Sequence, residues 1–389
     1  MYQFNRSKVT AAALVLSLAV SGAYAQDTIK IGYSGPLSGG AALYGKSVLN
    51  GMQMAAAEIN AAPLDIGGKR YKVEIVALDD KYNPSETGIN LQRLVQQHQT
   101  AAVLVPHSGG VFAAQAANEK LKVLLLAYTS LPAATERGNK LTVRIPPDFT
   151  TYISPFIKAT MSKYGKNVAL AQADHDYAKA WSAAFKPAWE AAGGKVVADN
   201  PMSYNKAADF YSGVSRVIQA KPDVLFIGGA SEPTALVAKQ ARELGFKGAF
   251  IVLDQAKLDE MARITGGYGT LEGAVGVMPM SGDDRPDAVS FTNRYRKLND
   301  NKDPSSEVAL NYTAVHATVA AMKLAGTVSD ATAIRAQMDQ AFRKLPGQYN
   351  PASVEGLDAK GGAIINAIVA SVENGKLKGQ LLRSAAAGQ

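Results

Sequence analysis

Short apolar runs recur along this chain, and amphipathic helical stretches separate them. The runs are Ile29–Tyr33, Val73–Leu78, Ala102–Val105, Val123–Leu126, Val168–Ala171, Val224–Ile227 and Phe250–Leu253. The stretches between them include Leu43–Asn60, Ser85–Gln97, Trp181–Ala192 and Glu232–Leu244. Strands that are apolar without alternation are buried on both faces, and strands separated by helices pair in parallel. The pattern therefore predicts α/β architecture, mostly parallel sheets flanked by helices. Two strand–helix series are visible, one before and one after Arg144-Ile145-Pro146-Pro147. Prolines interrupt helix and strand alike, so this tetrapeptide is expected to cross between two lobes, with Met278-Pro279 a second candidate. A chain of 389 residues is long enough for two domains.

The first residues read differently from the rest. Arg6 and Lys8 precede an apolar run from Val9 to Val20, no acid occurs before Asp27, and Ala23 and Ala25 form an A-x-A cleavage site. That is the layout of an export signal over residues 1–25. The run is shorter than the roughly 20 apolar residues a bilayer needs. There is no cysteine, which excludes lipoprotein attachment and any disulfide. An exported chain without cross-links must rely on packing. The formal charge of +8 includes Arg6 and Lys8, and the remaining excess is spread along the chain, so no nucleic-acid partner is expected. The alanine-rich end, Ser384–Gln389, reads as a tail, with 386–389 outside either lobe.

One stretch imitates a nucleotide site. Gly40-Ala41-Ala42-Leu43-Tyr44-Gly45-Lys46-Ser47 fits G-x-x-x-x-G-K-[ST], the loop that wraps phosphates with backbone N–H groups, and Val73–Asp79 resembles a strand ending in a magnesium-binding acid. A phosphate loop follows its strand directly, however, and here residues 35–39 intervene after Tyr33. Asp79-Asp80 also runs on into Lys81-Tyr82-Asn83-Pro84, an ordinary turn into a helix. An export signal would send the chain where nucleoside triphosphates are absent. A P-loop NTPase is thus the weakest reading.

Other catalytic patterns are missing. No G-x-S-x-G elbow occurs, and His98, His107, His175 and His316 form no dense ligand pattern. Asp174-His175-Asp176 reads as a polar loop after a strand. No enzymatic activity, cofactor or metal is expected.

The residues carry a family resemblance. Ile29–Tyr33 followed by SGPLSGGAALYG (residues 34–45), then Gly51, Ala55 and Glu58-Ile59-Asn60, resembles the amino-terminal signature of branched-chain amino-acid-binding proteins, the type I periplasmic solute-binding proteins of ABC importers. Further matches are Ile66-Gly67-Gly68, Asp79-Asp80, Pro84, His107-Ser108-Gly109-Gly110, Tyr128-Thr129-Ser130-Leu131-Pro132 and Thr135-Glu136-Arg137-Gly138. They continue through Asp209-Phe210, Pro222-Asp223, Gly228-Gly229, Ala241-Arg242, Gly245, Gly361-Gly362 and Glu373-Asn374-Gly375-Lys376. The resemblance implies a two-lobed clamshell with a ligand in the cleft, a periplasmic location and a membrane permease as partner. A sensory receptor is the alternative. It also implies three crossings, the third near Glu355-Gly356. Lobe 1 would hold residues 26–145 and 279–355, and lobe 2 residues 146–278 and 356–385.

In open α/β sheets, ligands bind beyond the carboxyl ends of the strands. His107-Ser108-Gly109-Gly110 lies at such a place, with glycines that let a ligand approach the backbone and a helix start that attracts anions. Read from the residues alone, Ser108 is equally a helix N-cap. The resemblance implies that Ser108 and Ser130 hold a ligand carboxylate, Asp254 pairs with an ammonium, and Tyr44 and Tyr177 line the cleft. Gly109 and Tyr128 join them as site residues. Asp254 could also cap a helix over Gln255–Thr265, and the tyrosines could be packing residues.

The chain departs from the family pattern at three places. Tyr82 and His107 stand where amino-acid binders have a cysteine pair, so that loop tether is expected to be missing. Ala230-Ser231-Glu232 replaces a pocket tyrosine after the glycine pair, and Tyr128 replaces a small residue. The side-chain pocket is therefore reshaped, leaving room for other amino acids, aromatic acids or small amides.

Overall fold

The computed structural model of the chain describes residue 1 and residues 27–366 and 368–381. The expected export signal over 1–25, apart from residue 1, and the tail over 386–389 lie outside the described residues. No described helix is long and apolar enough to cross a membrane.

The first half alternates strand and helix as its sequence predicts. Its elements are β1 (Asp27–Gly35), α1 (Ala42–Asn60), β2 (Leu64–Ile66), β3 (Lys69–Asp79), α2 (Pro84–Gln96), β4 (Ala102–Val105), α3 (Ser108–Gln115), β5 (Leu124–Ala127), α4 (Ala133–Glu136) and β6 (Thr142–Arg144). They form one sheet in the order β2-β3-β1-β4-β5-β6, parallel except for the β2/β3 hairpin. β4 and β5 are buried at every position, which is why they read as continuous apolar runs. Local signals set the helix starts. Asn83 accepts a bond from the Ser85 N–H and Pro84 occupies the first turn, so α2 begins there.

The second series is α5 (Thr150–Tyr164), β7 (Asn167–Leu170), α6 (Asp176–Ala191), β8 (Lys195–Asp199), α7 (Tyr211–Ile218), β9 (Val224–Ile227), α8 (Ser231–Glu243), β10 (Ala249–Val252), α9 (Leu258–Thr265) and β11 (Ala274–Val277). After it come α10 (Pro286–Leu298), α11 (Ser306–Ala325), α12 (Ala331–Arg343), β12 (Val354–Leu357), β13 (Ala363–Ile365), β14 (Ile368–Glu373) and β15 (Lys376–Leu381). The second sheet runs β15-β14-β11-β10-β9-β7-β8. β14 returns antiparallel along β11, and β15 pairs antiparallel with β14 at the edge.

Two separate cores define the lobes. The first joins α1, α11 and α12 to one face of the first sheet, and a smaller cluster around Leu91, Leu94 and Val111 covers the other face. The second gathers Trp181, Phe185, Trp189, Phe226 and Phe250 around the second sheet. The chain passes between the cores after β6, through Ile145–Pro147, and again after β11, through Met278–Pro279. The third passage differs from expectation. The β12/β13 hairpin packs in the first core, with Val354, Leu357, Ala363 and Ile365 buried there, and Gly362 bridges to Arg144. The crossing therefore falls between Ile365 and Ile368 rather than near Glu355-Gly356. The turn at 358–362, which looked like a passage in sequence, is closed by Asp358 accepting from the Lys360 and Gly362 N–H groups.

Candidate functional site

In both sheets the strand order reverses, between β1 and β4 in the first and between β9 and β7 in the second, and residues just beyond the carboxyl ends of strands from both sheets line the cleft. Six of the seven expected residues line one cavity there: Tyr44 on α1, Ser108 at the start of α3, Tyr128 and Ser130 after β5, Tyr177 on α6, and Asp254 after β10. Gly109 lines a second, outer chamber at the cleft mouth instead. A Cβ on Gly109 would come within 2.7 Å of Pro84 Cγ, and one on Gly110 within 2.5 Å of His107 Cε1. The glycine pair is thus explained by loop packing.

Neither serine nor aspartate acts as the helix cap. His107 is the N-cap of α3, its Nδ1 accepting from the Gly110 N–H at 3.0 Å, and Ser108 is the first helical residue. The Ser108 and Thr129 hydroxyls bond each other at 2.7 Å. Ser130 is 3% exposed; its hydroxyl lies beside that of Tyr177 yet makes no hydrogen bond of good geometry. On the facing lobe, α9 begins only at Leu258, so Asp254 does not cap it. Its Oδ1 instead accepts from the Tyr177 hydroxyl and from Trp181 Nε1, the latter at 3.0 Å. The Gln255 N–H donates to the Tyr177 oxygen at 3.1 Å, locking that ring against the loop. Burial first, then nearby Asp254, holds the Tyr177 hydroxyl well above its ordinary pKa, so it stays a donor.

The cavity also contains groups that sequence reasoning missed. Lys257 and Glu307 line it from opposite lobes and meet at 2.8 Å, with side chains only 6% and 2% exposed. Lys257 Nζ also donates to the carbonyls of Asp254 and Gln255. Desolvation alone would lower the Lys257 pKa; Glu307 and Asp254 more than offset it and leave it raised. Tyr82, Tyr152 and Gln255 complete the wall, and Gln255 Nε2 donates to the Tyr82 hydroxyl across the cleft at 3.1 Å. These contacts between the cores describe a closed clamshell. No local pattern marks Glu307 as a site residue. Its only signal is an acid in the first turn of a long apolar helix.

The loop tether expected to be missing is present in another form. The Tyr82 and His107 rings stack with centroids 4.5 Å apart, and His175 of the facing lobe lies 5.3 Å from Tyr82. His107 Nδ1 accepts from Gly110, so the proton sits on Nε2, which donates to buried Asp80 at 3.0 Å. Asp80 also accepts from Ser34, Thr87 and the Tyr82 N–H. Those bonds hold Lys81 and Tyr82 at φ of 54° and 60°, a conformation disfavoured for both.

The nucleotide-like stretch has a structural explanation. Gly45 lies within α1, and a Cβ there would meet the Pro36 carbonyl oxygen at 1.7 Å. Lys46 is exposed on the helix. Asp79 accepts from Leu37 N–H, the Ser38 hydroxyl and Lys81 N–H, closing the loop after β1. Similarly, His175 of the Asp174–Asp176 triplet is the N-cap of α6.

Comparison with known proteins agrees with this geometry. A family profile described as "Periplasmic binding protein" matches residues 28–376. A protein of Pseudomonas aeruginosa named "Amino acid binding protein" is 26% identical over 339 residues, covering 82% of this chain and 86% of that one. Among solved structures, the branched-chain amino acid transporter substrate-binding protein LivJ of Streptococcus pneumoniae, in complex with isoleucine, superposes with a TM-score of 0.78. It is 24% identical, with 92% of this chain and 100% of that one covered. A solute-binding protein of an ABC transporter from Rhodopseudomonas palustris, in complex with benzoate, gives a TM-score of 0.76 at 16% identity, with 93% and 99% covered. At these identities the structural likeness is one of fold.

Proposed function

The chain belongs to the periplasmic binding protein family, and on that footing we propose that it is the periplasmic substrate-binding component of an ABC importer, closing its lobes on an amino acid and presenting it to a membrane permease. The observation that carries this reading is the division of chemistry across the cleft. Ser108, Thr129 and Ser130 supply hydroxyls from the first lobe, beside the free N–H groups at the start of α3, where an anion is favoured. Asp254 supplies a carboxylate from the second lobe and has no salt-bridge partner among the described residues. A carboxylate and an ammonium on one small molecule would bind both lobes at once. Ligand contacts made only in the closed form shift the equilibrium toward closure by their own differential affinity.

In this reading Tyr44, Tyr128 and Tyr177 form the walls, and no residue performs chemistry. The named relatives that bind amino acids support the ligand class. The test is calorimetry of the mature chain against the amino acids and against aromatic carboxylates such as benzoate, with small-angle scattering to follow closure. Saturable binding of an amino acid with compaction is expected. Binding of simple carboxylates alone would overturn the amino-acid assignment, and saturable ATP binding abolished by Lys46→Ala would overturn the receptor reading itself.

A further inference from the structure

Five tyrosines line the inner cavity, and their hydroxyls divide into two groups. The Tyr44 hydroxyl donates to the Pro106 carbonyl at 2.6 Å, that of Tyr177 to Asp254, and that of Tyr82 accepts from Gln255. The hydroxyls of Tyr128 and Tyr152 have no hydrogen-bond partner among the described residues. Their rings are buried, at 5% and 2% exposure, yet neither oxygen is among the buried polar atoms sealed from any space. Tyr128 lines this cavity, and Tyr152 lines both it and the adjoining one it shares with Pro147, Val277 and Leu310, so both rings border the space between the lobes. Tyr128 packs in the first core and Tyr152 in the second, so the two approach from opposite lobes.

An aliphatic side chain bound here would bury both hydroxyls with nothing to bond, a loss that a merely hydrophobic wall would not impose. The charges nearby narrow the choice. Asp254 and Glu307 place two carboxylates on the same cavity against one ammonium, Lys257, so a second anionic group on the ligand is disfavoured. We propose that Tyr128 and Tyr152 form a polar subsite spanning the lobes, selecting an amino acid whose side chain ends in a neutral hydrogen-bonding group, a hydroxyl or carboxamide, over the aliphatic chain of equal size. This rests on the amino-acid reading above. A ligand group bonded to both hydroxyls ties the lobes together, so the subsite couples specificity to closure.

The test uses near-isosteric pairs against the mature chain by calorimetry: threonine with valine, asparagine with leucine, tyrosine with phenylalanine. The polar member of at least one pair should bind at least about tenfold tighter. Tyr128→Phe and Tyr152→Phe should each bring that ratio toward one while the melting temperature stays within a few degrees. Valine, leucine or phenylalanine binding as tightly as its polar partner in the wild type would overturn the subsite while leaving the amino-acid receptor standing. A ratio unchanged in both folded variants would do the same. If none of the six binds but another amino acid without a hydroxyl or carboxamide does, the subsite is overturned and the receptor reading stands; if no amino acid binds, both fail.

Discussion

Replacing Asp254 by asparagine separates the charge of this group from its geometry. Oδ1 already accepts from Tyr177 and Trp181. An asparagine carbonyl can keep both bonds and turn its amide nitrogen toward the cavity, so the loop after β10 should be undisturbed. What disappears is one negative charge. Glu307 is already matched by Lys257 at 2.8 Å, which leaves Asp254 as the carboxylate available to a ligand cation. A hydrogen bond to a charged group contributes about 1.5–3 kcal/mol, and a desolvated ammonium left without its counter-charge belongs at the upper end. The affinity for an amino acid should therefore fall roughly tenfold to hundredfold. For a carboxylic acid without an ammonium the sign reverses, because removing the charge relieves repulsion. Calorimetry of both proteins against the best amino-acid ligand and its deaminated analogue reads the two signs together. Equal or tighter binding of the amino acid by Asp254→Asn would refute the reasoning.

Other outcomes follow from the same geometry. Ser130→Ala should leave the melting temperature unchanged, since its hydroxyl has no bond to lose, and weaken ligand binding about tenfold or more; unchanged affinity in calorimetry would remove Ser130 from the anion anchor. Ser108→Ala should lower both affinity and melting temperature, because it also breaks the 2.7 Å bond to Thr129. Lys257→Met leaves buried Glu307 uncompensated and should destabilise the closed form by about 3–5 kcal/mol, with Lys257→Met/Glu307→Leu recovering most of the loss; a double variant no better than the single one in affinity and thermal melts would contradict this. Burial foremost, aided by His107 and opposed by Asp174 and Asp176, pushes the His175 pKa down to about 4 in the closed form. The open form, with an ordinary value near 6.5, then binds the extra proton between these limits, so affinity should weaken as pH falls from about 6.5 toward 4, by less than tenfold per unit because the ring is only partly buried. His175→Asn should remove that slope and expose the opposing one of Glu260, whose carboxyl burial and Glu307 push up to about 7; an identical pH profile in the variant would exclude His175.

The elements that sequence made legible are those whose burial is total. β4, β5, β9 and β10 are apolar at every position because both faces are covered, and the helices between them are amphipathic for the same reason. The placement of Ser108 and Asp254 on one cavity follows from these strands as well, since each lies just beyond a strand's carboxyl end. Lys257 and Glu307 were not legible, since they are 50 positions apart and meet only when the lobes close. The β12/β13 hairpin misled because its turn and its strand lengths fit either lobe, and only its packing against the first core decides. The Tyr82–His107 contact escaped because a stack between unlike rings has no sequence pattern, whereas a cysteine pair does.

That stack and the Asp80–His107 bond beneath it do by non-covalent means what a disulfide does elsewhere. A disulfide holds or fails with the redox poise of its surroundings. Here no sulfur is involved, so the loop carrying Tyr82 into the cleft reaches its working shape before any oxidant is met. Folding in a reducing or an oxidising compartment, with or without thiol reductants, gives the same loop. Strength that would otherwise follow redox poise follows packing and temperature instead.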